Sequence, residues 1–268
     1  MRLAASTGQA LTAARGPAWV GWPRQGGTEA RLRLFCLPFA GGGAAPYRLW
    51  ARHLPPGIAC CPILLPGREE RLAEPPLRRL GTLLDAVADA IAPHLDEMPY
   101  AIFGHSFGAL AAFELARLLR RRGLPLPCHL VVSGRRAPGL PPSGATLHDK
   151  PDAALVERMR ALGGTPQVVL DSPELMALLL PAMRADFEML ETHRHMDEPP
   201  LPVPMTALGG TDDPGVPEAD LAAWRAEAGA GFAMHLFPGG HFFLMPEREA
   251  VCRLVATCLA PHLRPAAA

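Results

Sequence analysis

Apolar positions along the chain fall into short continuous runs that alternate with longer segments of helical spacing. The first run covers 31–38, where charged and apolar residues alternate before the chain becomes continuously apolar. Segments with one apolar helical face follow at 80–95 and 109–123, and the alternation of runs and helices returns beyond 203. Because parallel strands need crossover helices, this order predicts an α/β fold with a mostly parallel sheet flanked by helices.

The alternation is interrupted between about residues 141 and 198. Two helical patterns stand there instead, at 151–164 and 172–196, and Pro181 predicts a break or a kink in the second. A helical insertion at the carboxyl edge of the sheet would form a lid over a site at that edge. The alternative is that these helices only pack against the sheet. Their apolar content does not distinguish the two roles, because one apolar face must be buried in either.

The sequence predicts one domain with a short N-terminal extension. The 268 residues are 49% hydrophobic, which is enough for one large core over 31–264. The first 30 residues contain no acidic residue before Glu29 and no apolar run long enough for a signal peptide or a membrane span. We expect a disordered tail over 1–30. A transit peptide is the alternative, but the helical apolar face of this segment is poor.

Composition narrows the possible partners and the compartment. Twenty-six basic and 26 acidic residues give a formal net charge of +0, so neither nucleic acid nor a membrane is an expected partner. No two cysteines show the C-x-x-C spacing of a zinc or redox site, and no metal is expected. Most of them lie in apolar runs, which favours free thiols and a cytoplasmic location. The six are Cys36, Cys60, Cys61, Cys128, Cys252 and Cys258.

The strongest chemical motif is GHSFG at 104–108. Gly104, Ser106 and Gly108 match the G-x-S-x-G nucleophile elbow, a sharp turn between a strand and a helix, and the flanking patterns predict that strand and that helix. The alternative is a serine in an ordinary βα loop. His105 is not the expected base, because a side chain next to the serine in a tight turn points elsewhere.

A serine nucleophile needs a base and an acid, and in this fold class they follow it in the order Ser, Asp or Glu, His. His241 stands after a predicted strand and directly after Gly239 and Gly240, which would let its loop bend back across the sheet edge. The acid comes from the pair Asp212 and Asp213. Asp213 is preferred because it lies just past the turn that leaves the preceding strand, with Asp212 as the second choice.

The loop FAGGG at 39–43 also follows a predicted strand. Its glycines match neither a P-loop nor a dinucleotide fingerprint. In an α/β-hydrolase, the loop at this place donates one backbone N–H to the oxyanion hole, and small residues let the backbone approach the reacting carbonyl. We therefore expect the N–H groups of Phe107, the residue after the nucleophile, and of a residue near Ala40 to bind the oxyanion.

Several separate motifs together resemble one family, the stand-alone type II thioesterases of polyketide and nonribosomal peptide synthetases. The resemblance runs from about Leu32 to Leu263. Its motifs are LFCLPFAGGG, LPGREER, FGHSFGALAAFELARLL, VVSGRRAP, LLPAMRADFEMLE, ALGGTDDP, LAAWR and FPGGHFFL. Their agreement in family order is much more specific than G-x-S-x-G alone.

The resemblance implies an α/β-hydrolase fold and hydrolysis of acyl or aminoacyl thioesters on the phosphopantetheine arm of a carrier protein, an editing role. It implies the triad Ser106, Asp213 and His241, with Ala40 and Phe107 as oxyanion donors. The family often has His in place of Phe39 and Met in place of Phe107. These two side chains are therefore expected to border the acyl pocket and to affect substrate preference. No cofactor and a monomeric protein are expected.

Two other functions are compatible with the motifs. The same triad serves carboxylesterases and acyltransferases, so the choice of a thioester substrate rests on the resemblance. The other is a non-catalytic module that docks carrier proteins and has lost turnover. The intact order of Ser106, Asp213 and His241 argues against the docking module.

Overall fold

Six strands form one parallel sheet in a computed structural model that describes residues 18–22, 29–142, 144 and 146–263. Their order across the sheet is β2-β1-β3-β4-β5-β6, and every neighbouring pair is parallel. The predicted parallel α/β architecture is confirmed. The strands are β1 Leu32–Leu37, β2 Ile58–Pro62, β3 Tyr100–His105, β4 His129–Ser133, β5 Met205–Gly210 and β6 Phe232–Phe237.

Helices cover both faces of the sheet and fill the insertion after β4. Those packed on the sheet or its edges are α1 Ala45–Arg48, α2 Leu80–Ile91, α3 Phe107–Arg121, α7 Glu218–Ala222 and α8 Arg248–Leu259. The insertion contains α4 Asp152–Leu162, α5 Gln167–Leu170 and α6 Pro173–Thr192. The helical insertion expected at about 141–198 is therefore present between β4 and β5.

Helix α6 is the longest helix of the insertion. It begins after Ser172, whose side chain accepts a hydrogen bond from the Leu175 amide at 3.3 Å, and Pro173 occupies its first position. The helix is continuous through Pro181, so the predicted break does not occur there. Buried neighbours on both sides of the proline, Leu180 and Ala182, hold the helix in place across the missing hydrogen bond.

The apolar interior divides into three clusters. The largest lies on the sheet face covered by α2 and α3, and the second lies on the face covered by α8. The third belongs to the insertion and contacts Ala40 on the loop after β1. Its buried members are Leu155, Met159, Leu170, Met176, Leu180, Met183 and Phe187. The insertion therefore has a core of its own and lies over the glycine-rich loop.

Residues 18–22 pair with the edge of the fold. Val20 is buried and forms an antiparallel bridge with Ile63, and the Gly21 amide donates to the Pro62 carbonyl at 2.8 Å. The guanidinium of Arg71 lies 4.1 Å from the centre of the Trp19 ring. The expectation of a disordered tail is thus wrong for residues 18–22, because backbone hydrogen bonds and apolar burial order them. Residues 1–17 and 23–28, which belong to the same expectation, lie outside the described residues.

All six cysteines are free, and four of them are buried. Burial raises the pKa of Cys61 to about 12, with a smaller contribution from Cys60, so this thiol stays protonated at neutral pH. No helix in the described part of the chain is both long and apolar enough to cross a membrane.

Candidate active site

Ser106 lies in the turn between β3 and α3 with a strained backbone. Its φ of 56° and ψ of −113° are unusual for a residue with a side chain. A Cβ at Gly104 would lie 1.9 Å from the Gly108 carbonyl oxygen, and a Cβ at Gly108 would lie 2.3 Å from the Leu37 oxygen. The geometry is that of a nucleophile elbow rather than an ordinary βα loop, and the two glycines are required by close backbone contacts.

His241 joins the serine to an aspartate. Its Nε2 lies 3.0 Å from Ser106 Oγ, and its Nδ1 lies 2.6 Å from Asp213 Oδ2. An ionised carboxylate can only accept, so Nδ1 donates to Asp213 and Nε2 is left as the acceptor of the serine proton. The structure therefore brings together the three residues that the sequence predicted, in the arrangement of a Ser-His-Asp triad.

The geometry also decides between the two neighbouring aspartates. Asp213 is buried, and its second oxygen accepts the Gly215 amide at 2.9 Å. Burial alone would raise the pKa of Asp213, but the hydrogen bond and the charge of His241 lower the pKa below its ordinary value. Asp212 is exposed, and its carboxylate accepts from the neighbouring Thr211 hydroxyl at 3.1 Å.

Backbone contacts hold the acid loop against the histidine loop. A Cβ at Gly210 would lie 2.4 Å from the carbonyl oxygens of both Gly239 and Gly240. The Asp212 amide donates to the Gly239 carbonyl at 2.9 Å. Glycine is therefore needed at position 210, where the two loops approach closely, and the φ of 109° at Gly239 favours glycine in the histidine loop.

His105 is buried next to the triad and packs against His241. It is completely buried, and its Nδ1 lies 2.9 Å from Ser133 Oγ. Burial, followed by the charge of His241, holds the pKa of His105 well below its ordinary value, so this ring is neutral. Its centroid lies 5.2 Å from that of His241. The imidazole that contacts Ser106 is thus His241, as expected, and His105 packs beside it.

The two expected oxyanion donors lie in the two segments next to the serine. The parallel pairing of Leu37 with Gly104 places the loop after β1 next to the elbow. Ala40 lies in that loop, and Phe107 is the first residue of α3. Among the described residues, neither amide has a protein acceptor. Both amides lie in the segments expected to bind an oxyanion, and that role stays a prediction.

Aromatic side chains surround the triad. Phe39 lies edge to face with Phe242 at 4.9 Å between ring centroids, and Phe242 lies in the same way against His241 at 5.2 Å. Phe107 is buried in the main core, so its predicted contact with an acyl group stays untested. Sequence reasoning missed Phe242, although its place next to His241 was a usable signal.

The insertion contributes residues that the sequence did not indicate. The charge of Arg158 on α4 is among the smaller influences that lower the pKa of Asp213. A Cβ at Gly164 would overlap the Phe242 ring at 2.2 Å. Asp186 on α6 accepts the Gly41 amide at 2.8 Å. Helical spacing revealed where this insertion lies but carried no signal for these contacts across the chain.

Comparison with known proteins agrees with this geometry. The family model of the thioesterase domain matches residues 32–259. The chain belongs to the thioesterase domain family. This thioesterase is 42% identical over 240 residues to the gramicidin S biosynthesis protein GrsT of Aneurinibacillus migulanus, with 88% of this chain and 93% of GrsT covered.

Solved structures resemble this thioesterase closely. One is the RedJ thioesterase from the prodiginine biosynthetic pathway of Streptomyces coelicolor, with 40% identity, a TM-score of 0.81 and 87% of each chain covered. Another is the type II thioesterase BorB from the borrelidin biosynthetic cluster, with 37% identity, a TM-score of 0.82, and 93% of this chain and 99% of BorB covered. The protein is thus a thioester hydrolase with the α/β-hydrolase fold.

Proposed function

We propose that this thioesterase hydrolyses acyl or aminoacyl thioesters on the phosphopantetheine arm of carrier proteins, as an editing enzyme of polyketide or nonribosomal peptide synthesis. The main support for the hydrolytic reaction is the pair of hydrogen bonds that connects Ser106, His241 and Asp213. The biosynthetic setting is supported by relatives whose names place them in antibiotic and natural-product pathways.

The first half of the reaction transfers the acyl group to the enzyme. Ser106 Oγ attacks the thioester carbonyl carbon while His241 Nε2 accepts the hydroxyl proton. Asp213 keeps Nδ1 as the donor and stabilises the imidazolium that forms. When the tetrahedral intermediate collapses, the C–S bond breaks and His241 returns the proton to the thiolate. The carrier protein leaves with a free phosphopantetheine thiol.

The second half releases the acid. A water molecule attacks the ester carbonyl of the acylated Ser106, and His241 removes one of its protons. Collapse of the second tetrahedral intermediate breaks the C–O bond to Ser106, and His241 gives the proton back to Oγ. The proposed reaction uses no metal or cofactor.

Negative charge develops twice on the carbonyl oxygen, and both times the amides of Ala40 and Phe107 would bind it. An N–H group in an oxyanion hole is typically worth about 3 kcal/mol of the barrier. The start of α3 adds favourable electrostatics, because the first amides of a helix point toward the same place.

The insertion supports an acyl substrate. Its apolar core, defined above by seven buried residues from Leu155 to Phe187, contacts Ala40 and so lies above the oxyanion loop. Phe39 and Phe242 add apolar surface beside the triad. A cytoplasmic, monomeric enzyme is part of the proposal, and the free cysteines favour the reducing compartment.

Intact-mass analysis tests the proposal directly. Wild type and Ser106→Ala are incubated with a panel of acyl-loaded carrier proteins, and the loss of acyl mass from each carrier is followed together with any adduct on the enzyme. We expect loss with wild type only, since Ser106→Ala removes the nucleophile and costs at least about 1,000-fold in kcat.

Matched oxygen esters of the same acyl groups provide the comparison. A clear preference of wild type for the oxygen ester in kcat/KM would replace the thioesterase proposal with a carboxylesterase. Binding of carriers without turnover by either protein would indicate a docking module.

A further inference from the structure

A buried ion pair joins the insertion to the body of the enzyme. Asp186 on α6 is completely buried, and its Oδ2 and Oδ1 lie 2.6 and 3.0 Å from the two Nη atoms of Arg68. Arg68 follows β2 and is also buried. Apolar residues of similar volume often stabilise a protein as well as such a pair does, because desolvation offsets the attraction. This pair therefore suggests a function other than stability.

Both members of the pair bind the glycine-rich loop directly after Ala40. The Gly41 amide donates to Asp186 Oδ2 at 2.8 Å, and Arg68 Nη1 donates to the Gly42 carbonyl at 3.2 Å. Because a peptide unit is planar, fixing the Gly41 N–H also fixes the Ala40 carbonyl. The direction of the Ala40 N–H then depends on the two dihedral angles of Ala40 alone.

The other flank of the loop is held by the next residue, Glu69. Its two carboxylate oxygens accept the amides of Ala44 and Ala45, each at 2.9 Å. Glu69 has a φ of 46°, a strained value for a residue with a side chain. Such strain persists where the surroundings determine the conformation, and it is common at functional sites. Residues 68 and 69 thus bind the loop at Gly42 and directly after its glycines, at Ala44 and Ala45.

We propose that Asp186 and Arg68 are positioning residues for the oxyanion hole, through which α6 of the insertion holds the loop that carries the Ala40 amide. The hole has its reactive geometry only while α6 packs on the loop. Movement of α6 away from the body would withdraw the acceptor of the Gly41 amide, so opening of the insertion and hydrolysis exclude each other. The inference rests on the proposed function, because it takes Ala40 as an oxyanion donor.

Phosphonylation of Ser106 tests the positioning role of Asp186 and Arg68 without a natural substrate. An alkyl fluorophosphonate forms a bond from Ser106 Oγ to phosphorus and releases fluoride, while His241 accepts the serine proton. The phosphoryl oxygen takes the place of the oxyanion, so the maximal rate constant of labelling, kinact, reports on the hole. Intact mass gives kinact and the half-saturating concentration separately, and Ser106→Ala shows that the label is on the serine.

The main variant is Arg68→Met combined with Asp186→Leu, which removes both charges and leaves neither one buried alone. We expect kinact to fall about 10- to 100-fold with little change in the half-saturating concentration, because misplacement by about 1 Å costs on that order. In Asp186→Asn an amide oxygen can still accept from Gly41. Its kinact should therefore lie between those of wild type and the double variant.

Glu188→Gln is the matched control. Glu188 is also on α6 and pairs with Arg78 of the body, and among the described residues neither side chain hydrogen-bonds to the loop. The control should label at the rate of wild type. A folded double variant with unchanged kinact would overturn the inference. It would also be overturned if Asp186→Asn lowered kinact no more than Glu188→Gln does.

The two proposals can fail separately. If wild type labels at Ser106 but hydrolyses no carrier-bound thioester, the proposed substrate class is wrong, whereas the comparison of kinact among the variants still tests the positioning role. If thioesters are hydrolysed and the variants label normally, only the positioning role fails.

Discussion

The catalytic edge of the sheet and the insertion above it are held together by different kinds of contact. Along the edge, backbone hydrogen bonds connect one strand end to the next: the Ser106 amide donates to the Ser133 carbonyl, the Gly134 amide to Leu208, and the Thr211 amide to Phe237. The insertion is attached through charged side chains in addition to apolar contacts such as those of Met189, which is buried in the main core. Its pairs include Asp186 with Arg68, Glu188 with Arg78, and Glu198 with Arg117, Arg120 and Arg121.

This difference separates the contacts that fix the triad from those that attach the insertion. Backbone contacts leave the triad little freedom, and the glycines that permit them accept no side chain. Ion pairs depend on pH and on salt and can be broken one at a time. The edge thus fixes the arrangement of Ser106, His241 and Asp213, whereas the loop that carries the Ala40 amide also contacts the insertion through Asp186.

The largest expected effect comes from replacing the triad acid. Asp213→Asn keeps the shape, but its amide can donate to His241 Nδ1 and so favours the tautomer whose Nε2 carries the proton. That tautomer cannot accept the proton of Ser106. We expect kcat to fall about 10,000-fold, or about 5.5 kcal/mol of the barrier. The measurement is kcat on an acyl thioester.

Asp212→Asn provides the control for this prediction, because Asp212 is exposed and one residue away. It should retain kcat within a factor of about two, as surface changes usually have small effects. Equal losses in the two variants would contradict the assignment of Asp213 and, with it, the fixed geometry of the edge.

The next effect is on folding rather than on chemistry. A Cβ in Gly104→Ala would lie 1.9 Å from the backbone oxygen of Gly108, which cannot move without displacing α3. We expect a loss of about 3 kcal/mol in the free energy of unfolding. Urea denaturation measures it.

The control is a glycine-to-alanine substitution at a position where the added Cβ meets no other atom. A Cβ at Gly81 in α2 meets no atom within 4 Å, so Gly81→Ala should leave stability unchanged or raise it by up to about 1 kcal/mol. If Gly104→Ala were as stable as Gly81→Ala, the backbone contacts of the edge would be less restrictive than the comparison requires.

The edge was also the region that sequence could predict best. Its residues carry local signals. Ser106 lies between two glycines that close backbone contacts require, and His241 follows two more, of which Gly239 has a φ of 109° that favours glycine. The strand and helix order came from apolar periodicity. The choice between Asp212 and Asp213 depended on burial, which neighbouring positions in a loop do not reveal.

The attachments of the insertion could not be predicted in the same way. Asp186 and Arg68 are 118 residues apart, and each is an ordinary charged residue in its own segment. Nothing in local spacing pairs one charge with another over such a distance. The sequence predicts a tail over residues 18–22 for a similar reason, because a segment of low periodicity gives no sign of the bridge from Val20 to Ile63.

The smallest expected effect concerns the segment that returns from α6 to β5. Glu198 lies 2.9 Å from Arg117, 2.7 Å from Arg120 and 2.7 Å from Arg121, all on α3. Burial alone would raise the pKa of Glu198, but hydrogen bonds from Arg120 and Arg117 lower it to about 2. Glu198→Gln should reduce the free energy of unfolding by about 1–2 kcal/mol at pH 7.

The effect of Glu198 should disappear in acid. A carboxyl whose pKa is lowered in the folded state stabilises fully above its unfolded value near 4.5, and this contribution is lost as the pH falls toward 2. Urea unfolding of wild type and Glu198→Gln at pH 7, 5 and 3 therefore gives a difference that shrinks with acidity. The other ionisable groups around Arg117 are present in both proteins, so the comparison isolates the change at position 198; they are Glu114, His193, His195 and Glu227.

Glu249→Gln is the matched exposed control for this titration. Glu249 pairs with Arg253 on the surface of α8, where both side chains are 71% exposed, and its removal should change stability by less than about 0.5 kcal/mol at every pH. A difference for Glu198→Gln that stayed constant from pH 7 to pH 3 would mean that packing, not charge, holds this segment on α3. The contrast between a backbone-fixed edge and a charge-fixed insertion would then fail at this attachment.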